Sequence, residues 1–335
     1  MTVSGHESDF EKARLAVLIP CRNEAATVAA VINDFKAALP GAAIFVYDNQ
    51  SDDDTARIAA QARAIVRSEV LPGKGNVVRR MFSDVEADVY VLVDGDDTYD
   101  ASGAPAMIQK LEDDTLDMLV GARVASSDSA YPAGHRFGNA LLTRMVAFLF
   151  GSRISDMLSG YRVFSRRFVK SFPALSTGFE IETELTVHAL ELKMPIAEMT
   201  FPYRARPADS ASKLNTYRDG WKILKTIVKL TKEERPMLVF GTLALLLALA
   251  SLILAWPLFI TYVDTGLVPR FPTAILATGL MVLAFLSIAC GAILDTVTLG
   301  RREIKRLNYL GIPRFRGRRN FRATDTPDRV SESEN

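Results

Sequence analysis

The chain has 335 residues, enough for more than one ordinary domain and for a sizeable core. Lys+Arg 40 against Asp+Glu 39 leave a net charge of +1, which argues against a general nucleic-acid binder. The two cysteines, Cys21 and Cys290, are far apart, and one lies in a strongly apolar run, so the chain reads as facing a reducing cytosol rather than as a disulfide framework.

Residues 1–13 are polar, carry no apolar h-region and do not read as a signal peptide. RLAVLIP (14–20) is an apolar run closed by Pro, a buried strand. Residues 24–39 read as a helix, with Val28, Val31, Ile32 and Phe35 at helical spacing. AAIFVYD (42–48) is a second strand, and 52–65 a second helix with an acidic first turn, as the helix dipole prefers. ADVYVLVD (87–94) is a strand, 101–112 a helix with Pro105 in its first turn, and DMLVGAR (117–123) a strand. The spacing gives no secure order over 131–165; TGFEIETELTVHALELK (177–193) reads as a helix. Alternating strands and helices with short links predict an open, mostly parallel α/β sheet covered on both faces. Such sheets bind ligands beyond the carboxyl ends of their strands, where IPCRNE, YDNQSDDDT and DGDD all fall.

TYRDGWKILKTIVKLTK (216–232) sets Trp221, Leu224 and Val228 against Lys222, Lys225, Lys229 and Lys232, an amphipathic helix suited to a membrane interface. Residues 237–256 and 271–294 carry no formal charge, and each exceeds the roughly 18 residues that mark a span. Two buried core helices are the bland alternative. Lys222, Lys225, Lys229, Lys232 and Arg235 precede the first stretch. Arg301, Arg302, Lys305 and Arg306 follow the second, with Arg314, Arg316, Arg318, Arg319 and Arg322 beyond. Only Asp264 and Arg270 lie between them. The positive-inside rule then predicts a hairpin with both flanks and the large N-terminal part cytoplasmic. The basic tail, 300–335, would hold anionic headgroups, its last stretch disordered. The expected divisions are 1–13, 14–215, 216–236, 237–299 and 300–335.

Asp94, Gly95 and Asp96 form an Asp-x-Asp at a strand end. One reading is a divalent-cation site, the carboxylates gripping Mg²⁺ or Mn²⁺ and the metal gripping a diphosphate. VLVDGDDT also fits the motif of haloacid-dehalogenase phosphatases, with Asp94 as nucleophile and Asp96 as acid/base. Asp97 as a turn cap is the plain structural alternative. That phosphatase motif opens its domain on the first strand, whereas here two strand–helix units precede it, which favours the metal-diphosphate reading. Asp48 can accept from a base edge, Glu24 can meet a ribose or base, and Lys74, between two glycines, suits a phosphate.

VLIPCRNE, VYDNQSDDDT, LPGKGNVVRR, VLVDGDDTYD, VGAR and LSGYRVFSRR, in this order over residues 14–235, resemble the family 2 glycosyltransferases of GT-A fold (Rossmann-like). They are most similar to the polyprenyl-phosphate glycosyltransferases of the dolichol-phosphate-mannose synthase type, and the C-terminal hairpin agrees with bacterial members. Thr98 departs from the family's usual Gln, and Asp48–Asn49 from its usual paired acids. The Gln-x-x-Arg-Trp of processive synthases is absent.

The resemblance implies donor-nucleotide positions at Pro20, Arg22, Glu24, Asp48, Lys74, Asp94 and Gly95. It implies a Mg²⁺ or Mn²⁺ site at Asp94 and Asp96, with Asp96 the more direct ligand, and a catalytic set of Asp96, Arg123 and Arg136. The acceptor phosphate would meet Arg136, Asn139, Ser159, Arg162, Arg204, Arg206 and Lys213, and the loop of Ser159, Gly160 and Arg162 would also stand beside the sugar. The implied reaction transfers one hexose from a UDP- or GDP-sugar to polyprenyl phosphate with inversion, on an anionic bilayer, with a homo-oligomer possible. Another membrane acceptor such as a diacylglycerol, or a non-catalytic nucleotide-sugar-binding membrane module, are the alternatives. A phosphate acceptor is already anionic near neutral pH, its second pKa being about 6, so no strong general base is called for. None of His6, His135 and His188 falls in the acidic motifs. Glu180 and Glu182 are left between contacts to sugar or acceptor and a solvated helix face.

Overall fold

The computed structural model describes residues 13–125, 155–178, 180–203, 225, 228, 231–232 and 235–313. Strands β1 (Ala13–Cys21), β2 (Ala43–Asp48), β3 (Ile65–Ser68), β4 (Ala87–Leu92), β5 (Met118–Ala125), β6 (Arg162–Ser165) and β7 (Ile196–Tyr203) form one sheet in the order β3-β2-β1-β4-β6-β5-β7. Strand β6 runs antiparallel to β4 and β5, and the other pairings are parallel. Helices α1 (Val28–Ala38), α2 (Thr55–Gln61), α3 (Lys74–Asp84), α4 (Ala104–Asp113), α5 (Arg166–Ser171) and α6 (Ile181–Glu191) cover it.

Side chains alternate across a pleated strand, so one strand feeds both layers. Val17 and Ile19 pack with Val91, Val163 and the α1 residues Val31, Ile32 and Phe35. Ala16 and Leu18 pack on the other face with Tyr90, Phe164, Val78, Met81 and Leu185. The strands are hydrophobic on both faces because both are covered. The chain reverses its direction of travel across the sheet between β1 and β4, and the carboxyl ends of those strands open a crevice.

Several boundaries differ from the sequence expectations. The predicted helix 52–65 ends at Gln61, and Ile65 opens the edge strand β3, too short for its period to show. The helix expected from residue 24 starts at Val28, because the backbone of 24–27 is a turn in the site. Residues 101–112 divide into a 3₁₀ turn, Ala101–Gly103, and α4. Strands β6 and β7 and helix α3 were not anticipated, and 177–193 shortens to Ile181–Glu191. The interfacial helix 216–232 lies largely outside the described residues; 225, 228, 231 and 232 are helical.

Helices α7 (Pro236–Thr265) and α8 (Phe271–Gly311) are long and apolar enough to cross a membrane. Their contact is a seam of small residues, Ala244 and Ser251 against Ala277, Ala284 and Gly291, all buried. Seven-residue spacing keeps such a seam on one face of two antiparallel helices. Ser251 Oγ donates across it to the carbonyl of Ala277 at 2.7 Å. Outside the seam, large apolar side chains such as Leu246, Ile253, Phe259 and Phe285 are exposed, which rules out the buried-core alternative. The tail expected from residue 300 is a further correction: 300–311 continue α8 as helix.

His188 on α6 sits against the rings of Phe168 and Phe172, with Nε2 3.4 Å from Ser171 Oγ. Burial, aided by the charge of Lys305, lowers its pKa to about 3. The unfolded chain therefore takes up a proton that the folded chain refuses, between pH 6.5 and 3. This contribution to stability is complete above the unfolded pKa and is lost as pH falls. Thermal unfolding of wild type and His188→Gln from pH 7 to 4.5 should show the acid-side loss shallower in the variant, by up to about 1.4 kcal/mol per pH unit. Parallel pH profiles would remove His188 as a cause of acid lability.

Candidate active site

The crevice at the carboxyl ends of β1, β2 and β4 is a cleft of about 550 Å³. Pro20, Arg22, Glu24, Lys74, Asp94, Gly95, Asp96 and Arg123, all named from sequence, line it, with Asn49, Tyr99 and Glu182. Two loops build its rim and are stitched together. Asn23 N donates to Ser51 Oγ at 2.8 Å, Asp52 N to Asn23 Oδ1 at 2.7 Å, and Ala25 N to Asp53 Oδ2 at 3.1 Å. Asn23 and Gln50 take positive φ, which Asn tolerates well. The Asp-x-Asp turn is pinned from the first loop, since Thr27 Oγ1 donates to the Gly95 carbonyl at 2.7 Å. Gly95 itself is required there, because a Cβ would come within 2.6 Å of Cys21 Sγ.

Lys74, expected from the sequence to meet a phosphate, lines the cleft but is engaged by the protein's own carboxylates. It opens α3, and its ammonium lies 2.5 Å from Asp94 Oδ1 and 2.6 Å from Glu182 Oε1. Burial opposes its charge, but the two carboxylates outweigh that and raise its pKa. The same burial raises the pKa of Glu182, against the pull of Lys74 and with the push of Asp94. The glycines beside Lys74 serve the protein's own backbone: a Cβ on Gly73 or Gly75 would strike the carbonyls of Thr177 or Ser176. Gly75 N donates to Thr177 O at 3.1 Å, which brings the segment before α6 against the start of α3.

Glu182 was left undecided between site and solvent, and the structure puts it in the cleft. Its Oε2 is buried and has no hydrogen-bond partner among the described residues. The same holds for Asp48 Oδ1, whose Oδ2 accepts from Ser51 N at 3.2 Å. Asn49 carries a role that reasoning from the sequence missed. Its Nδ2 donates to the carbonyls of Glu69 and Leu71 at 3.0 and 2.8 Å, and its Oδ1 accepts from Gly73 N at 2.7 Å. A carboxylate could not donate those two bonds, so Asn in place of the second acid fixes the loop that delivers Lys74.

The segment 155–160 closes the cleft. Asp156 receives Arg123 through Nε at 2.7 Å and Nη2 at 2.8 Å, a bidentate pair. Glu198 in turn accepts from the Ser155 and Asp156 amides. Tyr99, from the DDTYD stretch, accepts from Gly160 N at 3.0 Å. Ser159 and Arg162 do not reach for a phosphate. Both are fully buried: Ser159 Oγ donates to Gly121 O, and the Arg162 guanidinium serves the carbonyls of Ser159 and Met157 and Thr186 Oγ1. Burial lowers the Arg162 pKa to about 10. These two residues hold the loop from behind. Asp97, at φ 57°, is not the cap either; Asp100 accepts from Ser102 N at the following turn. Arg136, Asn139, Arg204, Arg206 and Lys213 lie outside the described residues.

Among the described residues no cluster of three His, Cys, Asp or Glu side chains is set to hold a metal alone. Mg²⁺ and Mn²⁺ do not need one, because they commonly take one or two carboxylates and complete their shell with water and substrate phosphate. Asp96 is buried, with Oδ1 accepting from Thr98 Oγ1 at 2.6 Å, while Asp94 is held by Lys74. The lining presents the cations Arg22, Lys74 and Arg123 against the carboxylates Glu24, Asp94, Asp96 and Glu182. Hard oxygen donors in a cleft of anionic balance fit a divalent cation accompanied by a diphosphate.

A Cβ at Gly160 would run into the Asp94 carboxylate, which Lys74 prevents from moving aside. Gly160→Ala should therefore lower turnover by at least about tenfold, equivalent to about 1.4 kcal/mol. Gly279→Ala, where nothing lies within 4 Å of the added Cβ, should leave it unchanged. Equal activities in a steady-state assay would show that the Asp94 position is not critical.

The sequence profile described as Glycosyl transferase family 2 matches residues 16–172. Glycosyltransferase AglJ of Haloferax volcanii is 30% identical over 305 residues, covering 88% of this chain and 98% of that protein. The dolichol-phosphate mannosyltransferase of Pyrococcus furiosus is 24% identical over 232 residues, covering 66% of this chain and 64% of that one. Among solved structures, glucosyl-3-phosphoglycerate synthase from Mycobacterium tuberculosis, in complex with Mn²⁺, UDP-glucose and phosphoglyceric acid, matches in fold with a TM-score of 0.52. That match has 22% identity and covers 65% of this chain and 79% of the other. The sheet with its crevice, the acidic turn at the end of β4 and a relative matched over nearly its whole length lead to one conclusion: the chain belongs to glycosyltransferase family 2 and carries a GT-A catalytic domain.

Proposed function

We propose that this glycosyltransferase moves one hexose from a nucleotide sugar to a polyprenyl phosphate at a membrane, with inversion at the anomeric carbon. The observation that carries the reading is the cleft itself. Its acidic turn, Asp94–Gly95–Asp96, shares the lining with Glu182, whose buried Oε2 has no hydrogen-bond partner among the described residues; Asp48, with a like oxygen, ends β2 beside the lining residue Asn49. A nucleoside diphosphate sugar fits that polarity. The base N–H groups would meet Asp48, the diphosphate and its cation would meet Asp96, and the sugar hydroxyls would meet Glu182 Oε2. Mn²⁺ and UDP-glucose in the mycobacterial synthase support a divalent ion and a nucleotide sugar here. The Pyrococcus relative's name supports a polyprenyl phosphate acceptor. The exposed apolar side chains of α7 and α8 support a membrane hairpin, and the flanking cations support a cytoplasmic cleft.

The chemistry follows from charge. Bound at Asp96, Mg²⁺ or Mn²⁺ would supply positive charge to the leaving diphosphate. Asp94 fixes the ammonium of Lys74 inside the cleft, where it faces the same diphosphate. Arg123, paired with Asp156, lines the cleft within reach of a bound phosphate, and Arg136, Asn139, Arg204, Arg206 and Lys213 are the remaining proposed acceptor contacts. The acceptor is an anion before it binds, so its oxygen attacks the anomeric carbon without a base, and the nucleoside diphosphate leaves. Glu182, whose pKa burial raises, orients the sugar and does not abstract a proton.

The test mixes purified protein with undecaprenyl phosphate, Mn²⁺ or Mg²⁺ and a panel of nucleotide sugars, and reads the lipid extract by mass spectrometry. One hexose added to the lipid phosphate is expected, lost with EDTA and in Asp96→Ala. Glu182→Gln should lower kcat/KM for the preferred sugar by tenfold or more while changing free nucleoside diphosphate affinity little. Hexose found on diacylglycerol would reassign the acceptor. Nucleotide-sugar binding with no product on any lipid would favour a binding module.

A further inference from the structure

The cytoplasmic end of α8 is docked on the catalytic domain, far from the cleft. Asp117, just before β5, is fully buried and accepts from Tyr309 Oη at 2.5 Å, Ser165 Oγ at 2.7 Å and Arg167 Nη2 at 2.8 Å. The Arg167 guanidinium carbon stands 4.2 Å from the centre of the Tyr309 ring, and that ring belongs to the domain core. Lys305 Nζ donates to Glu191 Oε2, at the end of α6, at 2.7 Å. Cations expected to hold lipid headgroups are thus spent in part on the protein: Arg302 lies 3.9 Å from Glu191, and Arg306 reaches the Leu192 carbonyl.

The register of α8 makes this dock more than a local contact. Ala277, Ala284 and Gly291 face α7 at intervals of seven, and Thr298, the next in that series, is also buried. The next step of seven is Lys305, and Tyr309 follows four later on the same side. One face of an unbroken helix therefore packs on α7 and, beyond the residues that face α7, on the catalytic domain. From Thr298 to Tyr309 the helix rises roughly 16 Å. No Pro interrupts α8 after Pro272, so that stretch has no kink-forming residue of the usual kind.

We propose that the cytoplasmic part of α8 is a rigid strut. It fixes the separation of the catalytic domain from the bilayer, and it thereby positions the cleft for an acceptor embedded in that bilayer. The proposal rests on the membrane reading above. Tyr309, Lys305, Asp117 and Glu191 are positioning residues and touch no substrate.

The experiment inserts seven residues, a repeat of 298–304, ahead of Lys305. Two helical turns keep Lys305 and Tyr309 on their face but lengthen the strut by roughly 10 Å. A donor dye at Asp113→Cys in a Cys290→Ala background, with acceptor dyes on lipid headgroups, reads the separation in proteoliposomes. The expected result is an increase near 10 Å. Transfer to vesicle-embedded undecaprenyl phosphate should fall at least tenfold relative to a water-soluble short-chain prenyl phosphate, with nucleotide-sugar binding unchanged. As an independent variant, Lys305→Glu should loosen the dock and spread the separations, and adding Glu191→Lys should narrow them again.

An unchanged separation, or no spread in Lys305→Glu, overturns the strut. A larger separation with undiminished transfer to the embedded lipid overturns the positioning role. If wild type binds nucleotide sugar but glycosylates neither prenyl phosphate, the acceptor reading fails, while the separation measurement still decides the strut.

Discussion

The candidate site depends on one buried cation. Lys74 ties the start of α3, the end of β4 and the start of α6 to a single point through Asp94 and Glu182. Burying three charges is costly in itself, and the ammonium offsets the cost only while both carboxylates stay in contact with it. That requirement explains much of the surroundings. Gly73 and Gly75 let α3 approach Ser176 and Thr177; Asn49 holds the loop ahead of Lys74; Gly160 leaves room behind Asp94. One cation between two carboxylates still leaves a negative balance. The lining as a whole carries four carboxylates against three cations, which makes the cleft receptive to a further cation.

The part of the sequence that predicted well is the part where period and chemistry coincide. The apolar runs ending in Pro20, Asp48 and Asp94 read as strands because both sheet faces are covered, and polar residues at their ends had one place to go. The cleft therefore gathered Pro20, Arg22, Glu24, Lys74, Asp94, Asp96 and Arg123 as the sequence implied. What failed was any judgement about where a charged side chain points. Arg162 and Arg123 are both strand arginines, yet one is sealed under Thr186 and two carbonyls while the other reaches the cleft. No local pattern separates them, because the difference lies in partners distant in sequence, Thr186 for one and Asp156 for the other. Edge strand β3 and antiparallel β6, four residues each, are too short for a period to register.

Helix α6 relates the two regions. Its first turn offers Glu182 to Lys74 in the cleft, and its last turn offers Glu191 to Lys305 of α8. Between them lie eight residues, and the nine steps from one to the other rise roughly 13 Å, with Leu185 and His188 buried. The helix is buried along nearly its whole length, so it has little freedom to tilt without moving both ends. The sequence left Glu180 and Glu182 open between sugar or acceptor contacts and a solvated face, because the helix has no clear apolar stripe to settle which side is buried. Its carboxylates are buried because each has a dedicated partner: Glu182 has Lys74, Glu184 has the amides of Leu175 and Ser176, and Glu191 has Lys305.

The charge inventory of the cleft constrains the chemistry further. In the proposed reaction two phosphate-bearing substrates would meet at distances where their repulsion is several kcal/mol in a partly dehydrated site. Of the cleft's described cations, Lys74 is already shared by two carboxylates and Arg123 is held by a third, so neither brings a full uncompensated charge. Arg22 is exposed and solvated. In the proposed reaction between two anions, stabilising charge would therefore have to arrive with the substrates or from outside the described residues. A divalent ion carried by the diphosphate would meet that need at Asp96, and Arg136, Arg204, Arg206 and Lys213 are the cations proposed for the acceptor. The cations of the described cleft are already committed to its own carboxylates, so on that proposal they leave the neutralisation of the attacking phosphate to other charge.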